Sequence, residues 1–273
     1  HLVLVSSINM GLIFPAIVAS LVGIAVGSFI NVVVFRTQSK KVLTGRSKCM
    51  KCEEPIAAFD LIPVISYFAL KGRCRKCSEV IEWQYPVIEL LVGVMFGVLY
   101  ARAALGFGLP SYVDASEWFL LFIRDAAMAV FLTIIFVYDF RYYYILDRFT
   151  FPAMIIALAM NLWLGAPVNS ILLGGLFIGS FFAFQFLASK GKWVGGGDIR
   201  LGMLMGFLLG IEQGLVALFL SYILGAFVGI ILILTKKRTL EGQVPFGTFM
   251  SVSIIITLLF GQQILAWYLG FFV

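Results

Sequence analysis

The chain has 273 residues, 62% of them hydrophobic and only 12% charged, with a formal net charge of +6. Soluble domains carry about 25% charged residues, so this composition and a mean hydropathy of +1.04 exclude a soluble globular protein and predict an integral membrane protein. The positive charge does not indicate nucleic-acid binding, because no basic stripe with interleaved aromatic residues accompanies it.

Apolar runs long enough to cross a bilayer recur along the chain. A spanning helix needs about 20 apolar residues, and by that measure the sequence holds about eight candidates. They are residues 8–36, 85–105, 118–138, 149–165, 169–189, 199–211, 215–235 and 246–270, of which the sixth is short enough for a half-span. The first is too long for a signal peptide and lacks a basic leader segment and a clear cleavage site. The expected fold is therefore an all-α polytopic membrane protein.

Positive charges are concentrated on one side of this eight-span arrangement. That side carries residues 37–84, the only sizeable polar segment, while only Arg102 and Arg124 fall on the opposite side. The basic residues on the first side are Arg36, Lys40, Lys41, Arg46, Lys48, Lys51, Lys71, Arg73, Arg75, Lys76, Arg141, Arg148, Lys190, Lys192, Arg200, Lys236, Lys237 and Arg238. By the positive-inside rule this side is cytoplasmic and both termini face out.

All four cysteines lie in the polar segment 37–84, as two C-x-x-C knuckles. Cys49 and Cys52 form the first, Cys74 and Cys77 form the second, and 21 residues separate the two. This pattern is typical of a closed tetrahedral zinc site with four cysteine ligands, and a reducing cytoplasm argues against disulfides. Because so small a loop lacks a core of its own, bound zinc would supply folding energy. An iron–sulfur cluster or a redox pair is the alternative.

Several polar residues fall within or beside the predicted spans. Glu89 lies about one turn inside the second span, where an ionisable residue is either functional or a carboxylate that snorkels or pairs with a basic neighbour. Arg124 and Asp125 are predicted at the outer boundary, and as adjacent residues of one helix they are not expected to face each other. Asn161 and Gln185 are predicted to form hydrogen bonds between scaffold helices.

Two further carboxylates are predicted at one depth in the bilayer. Asp139 ends the apolar run of the third span, and Asp198 follows the glycines Gly195 to Gly197 at the mouth of an apolar helix. The glycines allow a substrate strand to approach closely, and the helix N-terminus favours the charged form of Asp198. Alone, each carboxylate has an ordinary explanation, as an N-cap or as a partner of Arg141 or Arg148. Together at the cytoplasmic rim they predict a site.

Two carboxylates at one site resemble the dyad of an aspartic protease. The pair shares a proton, because both cannot ionise cheaply side by side. The charged member acts as general base on a water molecule, and the protonated member polarises the scissile carbonyl and protonates the leaving nitrogen. The only histidine is His1 and the cysteines are assigned to metal, so the carboxylates are the main catalytic candidates.

The motif Gly195-x-Gly197-Asp198 resembles the signature of the intramembrane GxGD aspartic proteases. The remainder of the chain resembles their bacterial branch, the type IV prepilin peptidases. Besides the two cysteine knuckles, the segments that carry this resemblance are 27–36, 60–67, 85–89, 139–147 and 244–247. As a set these motifs are specific, whereas Gly-x-Gly-Asp alone is weak.

The resemblance implies roles for individual residues. Asp139 and Asp198 would be the catalytic pair, supported by Gly195 and Gly197, with Asp147 as a less important acid. The expected domains are a first transmembrane helix over 1–36, a cytoplasmic zinc-binding domain over 37–84 and a transmembrane aspartic peptidase domain over 85–273. Departures from the family pattern occur at Leu146, Met50, Arg200 and Trp83-Gln84, and none removes a catalytic group.

The resemblance also implies an activity and a location. Prepilins or pseudopilins would be cleaved at the cytoplasmic side of a bacterial inner membrane, after a glycine that ends a short basic leader. The products would serve type IV pili, type II secretion or DNA uptake. Many members also methylate the new N-terminus with S-adenosylmethionine, an activity linked to residues 37–84. Glu89 is a candidate for receiving the leader or a group involved in methylation.

Other functions are compatible with parts of the sequence. The alternative that differs least from this interpretation is a peptidase without methyl transfer. The sequence has no Rossmann-type glycine fingerprint that would mark a site for the methyl donor. A proton- or ion-coupled transporter would use intramembrane carboxylates, but it leaves the cysteine segment unexplained. A scaffold for a secretion assembly would use the zinc loop without catalysis.

Overall fold

The computed structural model describes residues 10–235 and 244–271, so His1 and the basic residues Lys236, Lys237 and Arg238 lie outside the described residues. Within these ranges the regular structure is helical, apart from isolated bridges. The helices are α1 (Met10–Gln38), α2 (Ile65–Ala69), α3 (Gln84–Ala104), α4 (Trp118–Tyr142), α5 (Asp147–Trp163), α6 (Val168–Ser189), α7 (Gly196–Leu234) and α8 (Phe246–Leu269). The predicted all-α membrane architecture is confirmed.

Six of the described helices are long and apolar enough to cross a membrane. They are α1, α3, α4, α6, α7 and α8, so the predicted eight spans differ from this number in two places. Helix α5 has 17 residues, which corresponds to about 26 Å and is just short of the roughly 30 Å hydrocarbon core. The predicted spans 199–211 and 215–235 both belong to α7.

Helix α7 turns back on itself at Gly210. Its 39 residues would extend about 58 Å in a straight helix, but Gly210 has φ 72° and ψ −177°, a conformation that only glycine adopts without strain. A Cβ built on Gly214 lies 3.6 Å from the Cα of Gly206, so the two arms lie side by side. The two predicted spans are therefore the two arms of one helical hairpin.

Asn161 forms hydrogen bonds with backbone carbonyl groups that lose their helical partners at this turn. Its Nδ2 donates to the carbonyl oxygens of Phe207 and Leu208 at 2.8 Å and 2.9 Å, and the hydroxyl of Ser170 accepts from the N–H of Ile211 at 3.3 Å. Buried backbone groups without partners are costly, so these side chains replace the helical bonds lost at the turn. The predicted interhelical role of Asn161 is confirmed.

Arg124 and Asp125 form a buried ion pair, so the prediction that they do not face each other is wrong. Nε and Nη2 of Arg124 donate to Oδ1 of Asp125 at 2.9 Å and 2.7 Å, and the two side chains are 3% and 1% exposed. Nη1 of Arg124 donates to Oδ1 of Asn161 at 2.6 Å. Away from water a guanidinium must find acceptors within the protein, and its long stem allows it to reach the adjacent carboxylate.

The chain divides into two compact units between Ala104 and Leu105. In the first, α1 and α3 pack together, and Nδ2 of Asn31 near the end of α1 donates to the carbonyl of Tyr85 at the start of α3 at 3.2 Å. The intervening segment therefore leaves and rejoins this helix pair at the same end. In the second unit, α7 packs against α6, α8 and α5, and α4 packs against α8 and α5.

Candidate active site

Asp198 lies in the first turn of α7 and caps its own helix. Its Oδ2 accepts the N–H of Gly195 at 2.7 Å, and its own N–H donates to the carbonyl of Gly195 at 3.1 Å. Gly195 has φ −85° and ψ 161°, an extended conformation that starts the helix. Asp198 therefore does cap the start of its own helix, which was the non-catalytic explanation for this residue. It fixes one carboxylate oxygen at a helix N-terminus, where negative charge is favoured.

Asp139 lies in the last turn of α4 and is bonded by the start of α8. Its Oδ2 accepts the backbone N–H of Thr248 at 2.8 Å and the Thr248 hydroxyl at 3.1 Å. Pro245 precedes α8 and provides no side-chain cap. Because the first N–H groups of any helix lack partners within it, Asp139 supplies the acceptor from another helix. Its bonds are with Thr248 and not with Arg141 or Arg148.

The two aspartates line one cavity of about 790 Å3. Asp139 and Asp198 are 5% and 7% exposed, so both carboxylates are held almost entirely away from solvent. The wall also includes residues 191–197, the segment 143–145, the start of α8 at 244–246, and Gln185, Arg200 and Tyr222. The sequence placed the two aspartates at one depth, and the structure brings them to one cavity.

Glycines let the chain segments around the aspartates approach each other. A Cβ on Gly197 would lie 2.7 Å from Cβ of Ile145. A Cβ on Gly247 would lie 2.6 Å from Cδ1 of Ile145 and 3.0 Å from Oδ2 of Asp139. Real Cβ atoms need more room than this. The glycine motifs thus bring α7, α8 and the segment after α4 together at Ile145.

Asp147 forms an ion pair with Arg200 and is not among the residues that line the cavity. Oδ1 of Asp147 and Nε of Arg200 are 2.9 Å apart, although neither atom has the geometry of a directed hydrogen bond. The side chains are 44% and 30% exposed. The pair links the start of α5 to the start of α7 and lies beside the cavity of the two aspartates.

Tyr222, Gln185 and Thr248 are residues of the site that the sequence did not assign to it. Tyr222 and Gln185 exchange hydrogen bonds of 2.8 Å and 3.1 Å across α6 and α7, which confirms that Gln185 bonds between helices. Tyr222 reaches the cavity because α7 turns back, whereas in a straight helix it would lie about 36 Å from Asp198. Thr248 directly follows the segment 244–247, which carries part of the family resemblance. That position was the only sequence feature that could have pointed to Thr248 as a residue of the site.

The four cysteines come together in the first unit. Their sulfur atoms all lie within 4.8 Å of one another, and Sγ of Cys49 is 3.7 Å from Sγ of Cys77. Zinc–sulfur bonds of about 2.3 Å in a tetrahedron place the sulfurs about 3.8 Å apart, so this spacing suits the metal. Hydrogen bonds from the backbone at Cys52 and Lys51 lower the pKa of the Cys49 thiol to about 6, which favours the thiolate that a metal binds.

Glu89 lies in the same unit as the cysteines, at the start of α3. It is 6% exposed, and its Oε2 accepts the N–H of Val64 at 2.6 Å. Val64 has φ 61° and ψ −56°, and the N–H of Ile65 donates to the carbonyl of Pro63 at 2.6 Å, which together define a γ-turn of the positive-φ kind. This turn is strained at a β-branched residue, so Glu89 secures an unusual segment between the knuckles.

The two units match two family descriptions. Residues 21–103 match the bacterial peptidase A24 N-terminal domain, and residues 126–230 match the type IV leader peptidase family. A prepilin leader peptidase/N-methyltransferase of Aeromonas salmonicida is 30% identical over 92% of each chain. This chain belongs to the type IV leader peptidase family. No solved structure is significantly similar to it.

Other relatives in this family carry the same name. The prepilin leader peptidase/N-methyltransferase of Aeromonas hydrophila is 33% identical over 84% of this chain and 76% of its own length. That of Bacillus subtilis (strain 168) is 28% identical over 84% and 87%. The resemblance seen in the sequence motifs is confirmed over most of the chain, and a multi-pass membrane peptidase of this family accounts for the helices and the buried carboxylates.

Proposed function

We propose that this protein cleaves the leader peptide from prepilin-like substrates and methylates the new N-terminus. The observation that carries the proposal is the pair of buried aspartates, each fixed by one oxygen at a helix N-terminus and both lining one cavity. The names of relatives that align with most of this chain support both activities. The transporter alternative is not favoured, because none of these names supports it.

In this proposal Asp139 and Asp198 form the catalytic dyad. The charged carboxylate takes a proton from a water molecule as the water oxygen adds to the scissile carbonyl carbon. The protonated carboxyl group hydrogen-bonds the carbonyl oxygen and then gives its proton to the leaving nitrogen as the carbon–nitrogen bond breaks. Burial of both groups at one cavity supports a shared proton, because two negative charges kept from solvent in one cavity are unfavourable.

The substrate would reach this dyad at the cytoplasmic surface of the bacterial inner membrane. A basic leader stays in the cytoplasm while the following apolar helix enters the bilayer, so their junction lies at the membrane rim. Asp139 lies in the last turn of α4 and Asp198 in the first turn of α7, and both positions suit that rim. The basic residues between α1 and α3 support a cytoplasmic orientation for the cysteine segment. Glu89 is a candidate for substrate binding there.

The four cysteines would hold one structural zinc ion in the segment 37–84. Their sulfur spacing fits tetrahedral coordination, and four thiolates leave no open position, so the metal would stabilise the fold without taking part in the reaction. The methyl donor would be S-adenosylmethionine. The described residues form no strand that could carry a Rossmann-type cradle for this donor. The remaining residues, 85–273, would form the peptidase domain.

Cleavage of a prepilin tests the proposal directly. Purified protein in lipid nanodiscs is mixed with a full-length prepilin and isotope-labelled methyl donor, and product masses are followed. A mass loss equal to the leader establishes the peptidase, and one added methyl group establishes methyl transfer. Asp139→Asn and Asp198→Asn should each lower the cleavage rate by at least about a thousandfold, because each removes one member of a cooperating pair.

Two results would contradict the proposal. If both aspartate variants cleave at the normal rate, Asp139 and Asp198 are not the catalytic dyad. If the unaltered protein neither cleaves nor methylates any of several prepilins, the proposed peptidase and methyltransferase activities are wrong. Asp114→Asn serves as the matched control, because Asp114 lies outside the cavity, in the segment before α4. Glu89→Gln, measured for cleavage and methylation separately, tests whether Glu89 takes part in either.

A further inference from the structure

Asp139 and Asp198 have different hydrogen-bond environments although their burial is similar. Each accepts one backbone N–H at the start of a helix, from Thr248 and from Gly195 respectively. Asp139 accepts one donor more, the hydroxyl of Thr248 at 3.1 Å on the same oxygen. Hydrogen bonds donated to a carboxylate favour its charged form, so the additional hydroxyl distinguishes the two members of the pair.

We propose that Thr248 is a positioning residue that keeps Asp139 as the charged member of the pair and orients it. This inference rests on the proposed peptidase function and extends it to an assignment of roles. Both donors of Thr248 bind Oδ2, so this oxygen is fixed against α8. Among the described residues no group donates a hydrogen bond to Oδ1 of Asp139, which leaves that oxygen to take the proton from water. Asp198 then carries the shared proton and serves as the acid.

The position of Thr248 in α8 explains why both of its hydrogen-bond donors point to the same oxygen of Asp139. Thr248 is the third residue of the helix, so its N–H is one of those without a partner inside α8. Thr248 is 5% exposed, so little water competes with its hydroxyl for Oδ2 of Asp139. Neighbouring Gly247 leaves the space that Oδ2 of Asp139 occupies. One residue therefore supplies two donors in fixed directions.

Other charged or titratable groups face the same cavity and must be considered in any pH experiment. They are Asp198, Arg200 and Tyr222 of α7, Lys192 of the preceding loop, and Tyr143 and Tyr144 after α4. None of these is altered by a substitution at Thr248. A change in the pH dependence that follows such a substitution therefore reports the lost hydrogen bond.

The test compares three variants for prepilin cleavage between pH 5 and 9. Thr248→Val keeps the shape and the backbone N–H but removes the hydroxyl, and Thr248→Ser restores the hydroxyl. We expect Thr248→Val to lower kcat about tenfold and to move the acidic limb of the pH–rate profile upward by roughly one pH unit, with Thr248→Ser close to the unaltered protein. Thr257→Val is the matched control, since Thr257 is a buried threonine further along α8.

A second measurement does not depend on activity. Carbodiimides react with protonated carboxyl groups, and peptide mass spectrometry reports which aspartate is labelled. At neutral pH we expect Asp198 to be labelled in preference to Asp139, and Thr248→Val to raise the labelling of Asp139 relative to Asp198 about tenfold. Equal labelling in the unaltered protein, or no change in Thr248→Val, would overturn the inference. If the unaltered protein cleaves no prepilin, the proposed function fails and the labelling alone decides the role of Thr248.

Discussion

Asn161 offers the most direct test of how α7 is held in its turned-back form. Its side chain is fully buried, donates to two carbonyl oxygens at the turn and accepts one bond from Arg124. Asn161→Leu keeps a side chain of similar size and removes all three hydrogen bonds. The carbonyls of Phe207 and Leu208 and one nitrogen of Arg124 then remain buried without this partner.

The expected cost follows from these three bonds. Interhelical hydrogen bonds in membrane proteins contribute about 0.6 to 1.7 kcal/mol each, and a buried polar group left without a partner costs about 1 to 3 kcal/mol. Three such losses give a destabilisation of about 3 kcal/mol, a large fraction of a typical total of about 5 to 15 kcal/mol. Asn161→Asp separates the contributions, since it keeps an acceptor for Arg124 and loses both donors to the carbonyls. We expect it to be at least as destabilising as Asn161→Leu, because it also places a carboxylate against the two buried carbonyl oxygens.

Equilibrium unfolding in mixed detergent micelles measures these changes. Asn169→Leu is the matched control, because Asn169 is exposed at the start of α6 and makes only a local bond to the N–H of Ser170. It should change the free energy of unfolding by no more than about 0.5 kcal/mol. The reasoning is refuted if Asn161→Leu costs no more than this control. Full stability of Asn161→Asp would show that only the bond to Arg124 matters.

Further predictions concern the turn, the metal site and the ion pair beside the cavity. Gly210→Ala should destabilise the protein by about 1 to 2 kcal/mol or more in the same unfolding assay, because alanine is strained at φ 72° and its Cβ would lie 2.7 Å from the hydroxyl of Ser170. Purified protein should contain one zinc ion per chain by elemental analysis, and a strong chelator should lower its melting temperature. In the metal-free protein iodoacetamide should alkylate Cys49 first, with a half-maximal rate near pH 6, since its pKa is lowered to about 6 and the thiolate is the reactive form; bound zinc should suppress this reaction. Arg200→Ala should cost less than about 1 kcal/mol, because its pair with Asp147 is partly exposed and screened.

The helices were largely predictable because bilayer crossing imposes a length and an apolar composition on each. The predicted run 169–189 differs from α6 by one residue at its start, and 246–270 differs from α8 by one at its end. The two predicted spans on either side of residues 212–214 correspond to the two arms of α7. What the composition did not reveal is that they remain one helical element that reverses at Gly210, because a single backbone conformation produces the reversal.

The buried polar contacts were harder to predict, and the reason differs between cases. The rule that adjacent helical residues point apart describes Cβ directions, and it failed for Arg124 because a long guanidinium side chain can return to Asp125 when no water is available. The turn at Val64 was not predictable because valine rarely adopts positive φ, and it depends on Glu89 from a helix that follows it in the chain.

The contact between Asp139 and Thr248 joins residues 109 positions apart, so no local pattern reports it. It does follow from a requirement that every helix shares. Helix α8 begins after Pro245 without a Ser, Thr, Asp or Asn in the capping position, so its buried N–H groups need an acceptor from elsewhere. A carboxylate at the same membrane depth on a neighbouring helix is the strongest acceptor available, and Asp139 is such a group. In this protein, the second carboxylate of the site caps the start of α8 from a different helix, whereas α7 uses its own Asp198.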